Sequence, residues 1–137
     1  MSRTIFPLKG EATGSSVERR KHVLCVEDDE DTRTMMACWL DHCGYEVTTA
    51  GSLAETLPLT ERGGFDLLIL DGWYRDGLGV DLCKRIRAFD TRTPIVLLSP
   101  YAFQADIKKG LESGAQAYLT KPFDFDVLEQ TIEKLVL

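Results

Sequence analysis

The sequence predicts an α/β protein in which helices cover both faces of a parallel, five-stranded sheet. Short apolar runs alternate five times with segments of helical periodicity, as in a series of βα units. These runs are continuous stretches of Val, Ile and Leu, which is typical of strands buried on both faces. Of the 137 residues, 44% are hydrophobic and 28% are charged, as in an ordinary globular domain.

Residues 22–50 predict the first strand, the first helix and the second strand. His22–Val26 is a short apolar strand, and Tyr45–Ala50 alternates as a more exposed one. The helix between them is expected to end at Gly44, which suits a C-terminal cap. Four apolar residues recur at helical spacing within it: Met35, Met36, Trp39 and Leu40.

A capping-box pattern opens the second helix, because Ser52 is followed three residues later by Glu55. Pro58 lacks a backbone N–H, so it should kink this helix or cut it short before Gly63. Phe65–Leu70 is the third predicted strand.

The second half of the chain predicts two more strands and three helices. The helices at Val80–Phe89 and at about 103–113 flank a strand at Pro94–Ser99. Ala117–Leu119 is a short fifth strand, and Asp124 is expected to cap the last helix. The third helix has four residues on one face: Leu82, Cys83, Ile86 and Phe89. The buried stripe of the last helix is expected to contain Val127, Leu128, Ile132 and Leu135.

Composition and charge limit the classes of function. Residues 1–20 lack periodicity and predict a flexible leader before a domain at residues 21–137. Residues 22–137 carry twenty Asp or Glu against eleven Lys or Arg, a balance that argues against direct nucleic-acid binding. No apolar run approaches the roughly 20 residues that span a bilayer, and Ile5–Leu8 is too short for a signal peptide core. We therefore expect a cytoplasmic protein without membrane insertion.

The four cysteines show no CxxC spacing and fall inside apolar patterns, so we interpret them as reduced and mostly buried: Cys25, Cys38, Cys43 and Cys83. Zinc ligation by Cys38, His42 and Cys43 is the alternative interpretation. It lacks a fourth ligand at a recognisable spacing.

Ionisable and hydroxyl side chains follow four of the predicted strands at their carboxyl ends, where open α/β sheets bind ligands. They are Glu27, Asp28 and Asp29 after the first strand, Asp71 after the third, Ser99 at the end of the fourth and Lys121 after the fifth. Converging carboxylates repel one another, so a cation is implied, either Lys121 or a bound metal. A site of oxygen ligands with room for water suits Mg²⁺ better than Zn²⁺.

This combination of groups suits phosphoryl transfer to a carboxylate. An aspartate can attack phosphorus and form an aspartyl phosphate, while Mg²⁺ and a lysine neutralise charge on the phosphoryl oxygens. The position of Asp71 at the end of a buried strand makes it the candidate nucleophile.

Specific motifs follow one another along the chain: Val26-Glu27-Asp28-Asp29, Leu70-Asp71 with Gly79 eight residues on, Leu98-Ser99, and Tyr118-Leu119-Thr120-Lys121-Pro122-Phe123. In this order and spacing, residues 22–137 resemble the receiver domain of two-component response regulators. The resemblance implies a three-layer, flavodoxin-like fold with strand order 2-1-3-4-5.

The resemblance also implies a metal site and a phosphoacceptor. Asp71 would be the phosphoacceptor and, with Asp28, a direct ligand of Mg²⁺. The backbone carbonyl of Trp73 would complete the protein's share of the metal shell, and Glu27 would act through water.

The remaining implied roles concern switching. Ser99 and Lys121 would contact the phosphoryl oxygens, and Lys121–Pro122 would be a cis peptide. Tyr118 matches the aromatic residue that changes exposure on activation, and the fourth helix, fifth strand and fifth helix would form the switch surface.

The resemblance implies that the phosphoryl donor is a sensor histidine kinase or a histidine phosphotransfer protein. The chain would catalyse only its own phosphorylation and dephosphorylation. Because the last helix ends with the chain at Leu137, we expect a stand-alone receiver. It would contact a downstream protein target or pass the phosphoryl group on, as a monomer or as a weak dimer through the switch surface.

Two residues depart from the family pattern. Arg75 replaces the usual proline four residues after the phosphoacceptor, which should alter the stiffness of that loop. Pro100 follows Ser99, where the family uses a backbone N–H to hold a phosphoryl oxygen, and proline has none. Pro100 therefore supports an alternative, a phosphorylation-independent interaction module.

Two other classes of protein fit the sequence less well. A Mg²⁺-dependent phosphatase would need an Asp-x-Asp pair, but Trp73 occupies the second position. A dinucleotide-binding domain would need Gly-x-Gly-x-x-Gly after the first strand, where acidic residues lie instead.

Overall fold

A parallel sheet of five strands forms the centre of the protein, in a computed structural model that describes residues 20–136. In chain order the strands are β1 (His22–Val26), β2 (Glu46–Ala50), β3 (Leu67–Asp71), the short pair β4 (Trp73–Tyr74) and β5 (Gly77–Leu78), β6 (Ile95–Ser99) and β7 (Ala117–Thr120). The main sheet has the order β2-β1-β3-β6-β7, and β4 and β5 form a separate antiparallel hairpin. Without that hairpin the order is the expected 2-1-3-4-5, so the flavodoxin-like topology is confirmed.

Helices cover both faces of the sheet, as predicted. They are α1 (Glu30–His42), α2 (Leu53–Arg62), α3 (Gly79–Arg87), α4 (Gln104–Glu112) and α5 (Phe125–Val136). Alternate strand residues point to opposite faces, which divides the core into two clusters. Leu68 and Leu70 pack in the cluster that includes α3, whereas Leu67 and Ile69 pack in the cluster that includes α1 and α5.

Three apolar residues of the predicted helical patterns are exposed: Met35 (48%), Phe89 (45%) and Val127 (46%), of which Val127 was expected in a buried stripe. Met35 and Val127 each precede a fully buried neighbour, and one residue along a helix turns the side chain by about 100° away from the core. Phe89 lies beyond the end of α3 at Arg87, so it no longer follows the helical spacing. The rest of each predicted stripe is buried or packed against the core.

The helix caps follow the sequence signals, but Pro58 does not end α2. Ser52 accepts from the backbone N–H of Glu55 at 3.1 Å, and Asp124 accepts from that of Asp126 at 2.8 Å. Pro58 does not cut α2 short, because the helix continues to Arg62, and the alternative of a kink at Pro58 stays a prediction. Proline removes one donor only, and Leu57 and Leu59 pack against the core on either side of it.

The expectation of mostly buried cysteines holds for Cys25 and Cys83, but Cys38 is exposed and Cys43 is half-buried. The predicted leader at residues 1–20 lies, apart from Arg20, outside the described residues. No helix within residues 20–136 is long and apolar enough to span a bilayer.

The turn before β6 offers a test of local stability. The carboxylate of Asp90 accepts from the N–H of Arg92 (3.0 Å), the N–H of Thr93 (3.0 Å) and the hydroxyl of Thr93 (2.6 Å). Burial alone would raise the pKa of Asp90, but these hydrogen bonds outweigh it and lower the pKa. We expect Asp90→Ala to lose about 1 to 2 kcal/mol of unfolding free energy at pH 7.

This contribution depends on the ionised carboxylate. Because the folded pKa of Asp90 is depressed, the stabilisation is present above the ordinary value of 3.8 and is lost as the pH falls below it. Urea unfolding at pH 7 and at pH 3 should therefore show a smaller difference between wild type and variant at the lower pH. Glu61→Ala, at an exposed position of α2, is the control, and an equal loss in both variants would contradict the role of Asp90.

Candidate functional site

An acidic cluster forms at the carboxyl edge of the sheet. Val26 of β1 lies opposite Leu70 of β3, so the residues that follow them, Glu27 and Asp71, emerge side by side. Carboxylate oxygens of Glu27, Asp28 and Asp71 lie within 4.8 Å of one another. Glu27 and Asp71 are 7% and 6% exposed, and Asp28 is half-buried. Burial of these charges at such short separation requires a counter-charge.

Lys121 supplies part of that counter-charge. Its Nζ lies 2.8 Å from Asp71 Oδ1 and 3.3 Å from Glu27 Oε1. Burial disfavours the ammonium ion, but the hydrogen bond and charge of Asp71 and the charge of Glu27 outweigh it and raise the pKa of Lys121. For the carboxyl group of Glu27, burial has the opposite effect and raises the pKa, and the nearby charge of Asp71 adds to that increase. The ammonium ion therefore stays charged at neutral pH between two buried carboxyl groups.

The residues present fit a magnesium ion. Lys121 pairs with Glu27 and Asp71 but not with Asp28, so the cluster keeps an excess of negative charge, and all its ligand atoms are oxygens. Within residues 20–136 this is the one group of three or more His, Cys, Asp or Glu side chains whose ligand atoms lie this close. Cys38, His42 and Cys43 form no such group, so the structure gives the zinc alternative no support.

Ser99 lies beside the cluster because β6 pairs with β3. It is 4% exposed at the end of β6, against Gly72, where an added Cβ would lie 2.9 Å from the Ser99 Cβ. Its hydroxyl oxygen accepts from the N–H of Tyr101 at 3.2 Å, while Pro100 has no N–H to donate. The Lys121 N–H bonds the Ser99 carbonyl at 2.8 Å, and the Lys121–Pro122 peptide is cis, as expected.

Tyr118 connects to Ser99 through the main chain of Tyr101. The Tyr118 hydroxyl donates to the Tyr101 carbonyl at 2.7 Å, and the Tyr101 N–H donates to Ser99. The ring of Tyr118 lies on the backbone of α4, because Gly110 has no Cβ; an added one would lie 2.5 Å from the ring. The ring of Tyr101 also lies 6.0 Å from that of Trp73, which follows Asp71 by two residues and is 53% exposed.

The loop after Asp71 is held at several points, although Arg75 stands where proline is usual. Tyr74 is 2% exposed, and its hydroxyl donates to the Val26 carbonyl at 3.4 Å. The carboxylate of Asp76 accepts from the N–H of Leu53 (3.1 Å) and Ala54 (3.2 Å), at the start of α2. The β4–β5 hairpin and these contacts therefore restrain the loop without a proline at position 75.

Sequence reasoning missed two residues that hold this region, Arg33 and Asp76. Arg33 Nη1 donates to the backbone carbonyl of Glu27 at 2.8 Å. Its signal was its place as the first basic residue after the acidic run at 27–31. Asp76 carried no comparable signal, because its partners lie more than twenty residues earlier in the chain.

Comparisons with known proteins agree with this architecture. The nisin biosynthesis regulatory protein NisR of Lactococcus lactis is 36% identical over 111 residues, covering 81% of this chain and 48% of NisR. The alkaline phosphatase synthesis regulatory protein PhoP of Bacillus subtilis is 36% identical over 103 residues, covering 75% of this chain and 43% of PhoP. The chain thus spans about half the length of the curated relatives it matches.

Solved structures show the same similarity. A CheY-like response regulator receiver domain from Methanospirillum hungatei superposes with a TM-score of 0.78 at 30% identity, covering 85% of this chain and 94% of that one. The receiver domain of the Francisella response regulator 1452 gives a TM-score of 0.82 at 28% identity, covering 85% and 97%. A model of the response regulator receiver domain matches residues 23–133. With a match across so much of its length, the chain belongs to the response regulator receiver domain family of two-component systems.

Proposed function

We propose that the protein accepts a phosphoryl group on Asp71 from a phosphohistidine of a sensor histidine kinase or of a histidine phosphotransfer protein. The observation that carries this proposal is the buried Asp71 carboxylate beside Lys121, Glu27 and Asp28. An oxygen of Asp71 attacks phosphorus, the P–N bond breaks, and its electron pair remains on the imidazole nitrogen. The product is an aspartyl phosphate.

The side chains around Asp71 divide the work of this step. Asp71 Oδ1 accepts from Lys121 and from the N–H of Gly72 at 2.9 Å, whereas Oδ2 accepts no hydrogen bond within residues 20–136. Oδ2 is therefore the oxygen free to attack. Lys121 then compensates charge on the phosphoryl oxygens. The Ser99 oxygen accepts from the Tyr101 N–H, which leaves the hydroxyl proton available to donate to one of them.

The metal complements these groups. Asp28, Asp71 and the Trp73 carbonyl would hold Mg²⁺, with Glu27 acting through water. Bound there, Mg²⁺ supplies positive charge that stabilises the transferring phosphoryl group.

We further propose that the phosphorylated protein signals by contact with another protein. Movement of the Ser99 hydroxyl toward the phosphoryl group would reach Tyr118 through Tyr101 and alter the surface of α4, β7 and α5. A downstream protein target binds this surface, or the phosphoryl group passes to a further histidine. The protein acts in the cytoplasm, as a monomer or as a weak dimer through this surface, and it has no separate substrate.

Incubation with acetyl phosphate tests the proposal. We expect Mg²⁺ to allow the addition of one phosphoryl group, detected by intact mass spectrometry, and EDTA to prevent it. Borohydride reduction of the acyl phosphate followed by peptide mapping should place the modification at Asp71. No mass gain under conditions in which a known receiver is modified would contradict the proposed function.

The rings of Trp73 and Tyr101 are expected to prolong the life of the phosphorylated state. Their centroids lie 6.0 Å apart, Trp73 on the short strand β4 and Tyr101 on the loop after β6, where they restrict the approach of water to the acyl phosphate. Replacing both with Asn should speed dephosphorylation about tenfold, the equivalent of about 1.4 kcal/mol of activation free energy. Decay of the phosphorylated mass with time measures this rate, with exposed Phe103→Asn as the control. Unchanged decay in the double variant would contradict the shielding.

Pro100 favours a second candidate function, a phosphorylation-independent interaction module. Since Pro100 has no N–H, one donor to the phosphoryl group is missing. Under the first function, Pro100→Ala should strengthen binding of the phosphoryl mimic beryllofluoride by about 10- to 150-fold, the equivalent of a charge-assisted hydrogen bond of roughly 1.5 to 3 kcal/mol. Absence of beryllofluoride binding in both wild type and variant would favour the second function.

A further inference from the structure

The side chain of Arg33 folds back from α1 onto the loop that carries the acidic cluster. Its Nη1 donates to the Glu27 carbonyl at 2.8 Å and lies 3.5 Å from the Asp28 carbonyl. The Glu27 N–H bonds the Ala50 carbonyl at 3.0 Å. Both backbone polar groups of Glu27 are therefore hydrogen-bonded, and the bond from Arg33 fixes the carbonyl that precedes Asp28.

Space for the guanidinium depends on a glycine in the neighbouring loop. A Cβ added at Gly51 would lie 2.9 Å from Arg33 Nη1 and 3.5 Å from its Cζ. The Gly51 N–H is itself bonded to Glu55 Oε1 at 2.6 Å, which ties Gly51 to the first turn of α2. Arg33 is therefore seated between the loops that follow β1 and β2.

The contacts of Arg33 differ in kind from those of Lys121. Lys121 reaches the carboxylates of Asp71 and Glu27, whereas Arg33 forms no salt bridge within 4.0 Å among residues 20–136. Its charge lies behind the acidic loop, on the backbone. There it can orient Glu27 and Asp28 and reduce their repulsion without occupying a carboxylate oxygen that a metal would use.

We infer that Arg33 is a positioning residue for the magnesium site, which it shapes through the backbone carbonyls of Glu27 and Asp28 with the space left by Gly51. This inference rests on the proposed function, because it assumes that the acidic cluster binds Mg²⁺. Residues that orient metal ligands typically change metal affinity by about 10- to 100-fold when they are removed.

Magnesium titration followed by tryptophan fluorescence tests the inference on the whole chain. Arg33→Met should weaken Mg²⁺ binding at least about tenfold. Arg33→Lys, which keeps the charge but loses the planar fork, should fall between wild type and Arg33→Met. Arg75→Met removes the same charge from the exposed side of the site and should change affinity only about twofold in 0.15 M salt.

Gly51→Ala provides a second route to the same result. It keeps Arg33 and its charge but forces the guanidinium to shift, so it should weaken Mg²⁺ binding in the same direction. If circular dichroism shows that Arg33→Met does not fold, the Mg²⁺ affinity of Gly51→Ala still tests the inference. Thermal unfolding without Mg²⁺ distinguishes a positioning role from a purely structural one. A purely structural role would lower the unfolding midpoint and leave the Mg²⁺ affinity unchanged.

The outcomes distinguish this inference from the proposed function. Wild-type protein that binds Mg²⁺, with Arg33→Met and Gly51→Ala matching Arg75→Met in affinity, would overturn the role of Arg33 alone. Wild-type protein that binds no Mg²⁺ would contradict the proposed function and this inference with it.

Discussion

Asp71→Asn is expected to abolish the gain of a phosphoryl group from acetyl phosphate. The carboxamide has no anionic oxygen to attack phosphorus, and within the cluster Asp71 lies nearer to Lys121 Nζ (2.8 Å) than Glu27 does (3.3 Å). Asparagine has almost the same volume as aspartate, so the buried position should tolerate the change. Intact mass spectrometry in Mg²⁺ should find the variant unmodified while the wild type gains one group.

Asp81→Asn is the matched control for this experiment. Asp81 is exposed on α3 and has the same chemistry as Asp71 without its surroundings. We expect this variant to gain one phosphoryl group at the wild-type rate. Modification of Asp71→Asn would place the acceptor elsewhere and contradict the proposed function.

Gly79→Ala is expected to destabilise the fold and to displace Asp71. An added Cβ would lie 2.3 Å from the Asp71 carbonyl oxygen and 2.9 Å from the Gly72 Cα. Both are backbone atoms at the end of β3, which is paired on both sides, so neither can move without disturbing the sheet. We expect a loss of about 3 kcal/mol in urea unfolding. Phosphorylation by acetyl phosphate should slow in the protein that remains folded.

Gly110→Ala is the contrasting control, because its new Cβ would meet the ring of Tyr118 and not backbone. Shifting the ring strains the Tyr118 bond to Tyr101, but it leaves the sheet backbone in place, and alanine within a helix gains about 1 kcal/mol over glycine. The net change should therefore be much smaller than for Gly79→Ala. Equal losses in the two variants would show that contact with backbone is not what makes Gly79 necessary.

The strands were predictable because their apolar runs are continuous. Leu67–Asp71 and Ile95–Ser99 are buried along their whole length, as runs of Val, Ile and Leu indicate. Which strands pair is a different matter, since periodicity carries no information about neighbours in a sheet. The order came instead from the family resemblance. The β4–β5 hairpin was not predicted, because two-residue strands are too short to show a period.

The candidate site was predictable as far as it follows strand ends. Glu27 and Asp71 come together because adjacent parallel strands end at the same edge. The contacts of Arg33 and Tyr101 were not predictable, because they join side chains to backbone groups whose position depends on the fold. The sequence alone shows that Pro100 lacks a backbone N–H donor. The hydrogen bond from the Tyr101 N–H to the Ser99 hydroxyl oxygen is visible only in the structure.

The bond between Asp76 and the start of α2 couples two parts of the molecule that could otherwise open independently. The backbone N–H groups of Leu53 and Ala54 donate hydrogen bonds to the carboxylate of Asp76, on the loop that carries Trp73. These amides can exchange with solvent only when the loop lifts or the helix end frays. Ligands that order the loop should therefore slow hydrogen–deuterium exchange at the first turn of α2, on a helix that contributes no side chain to the acidic cluster.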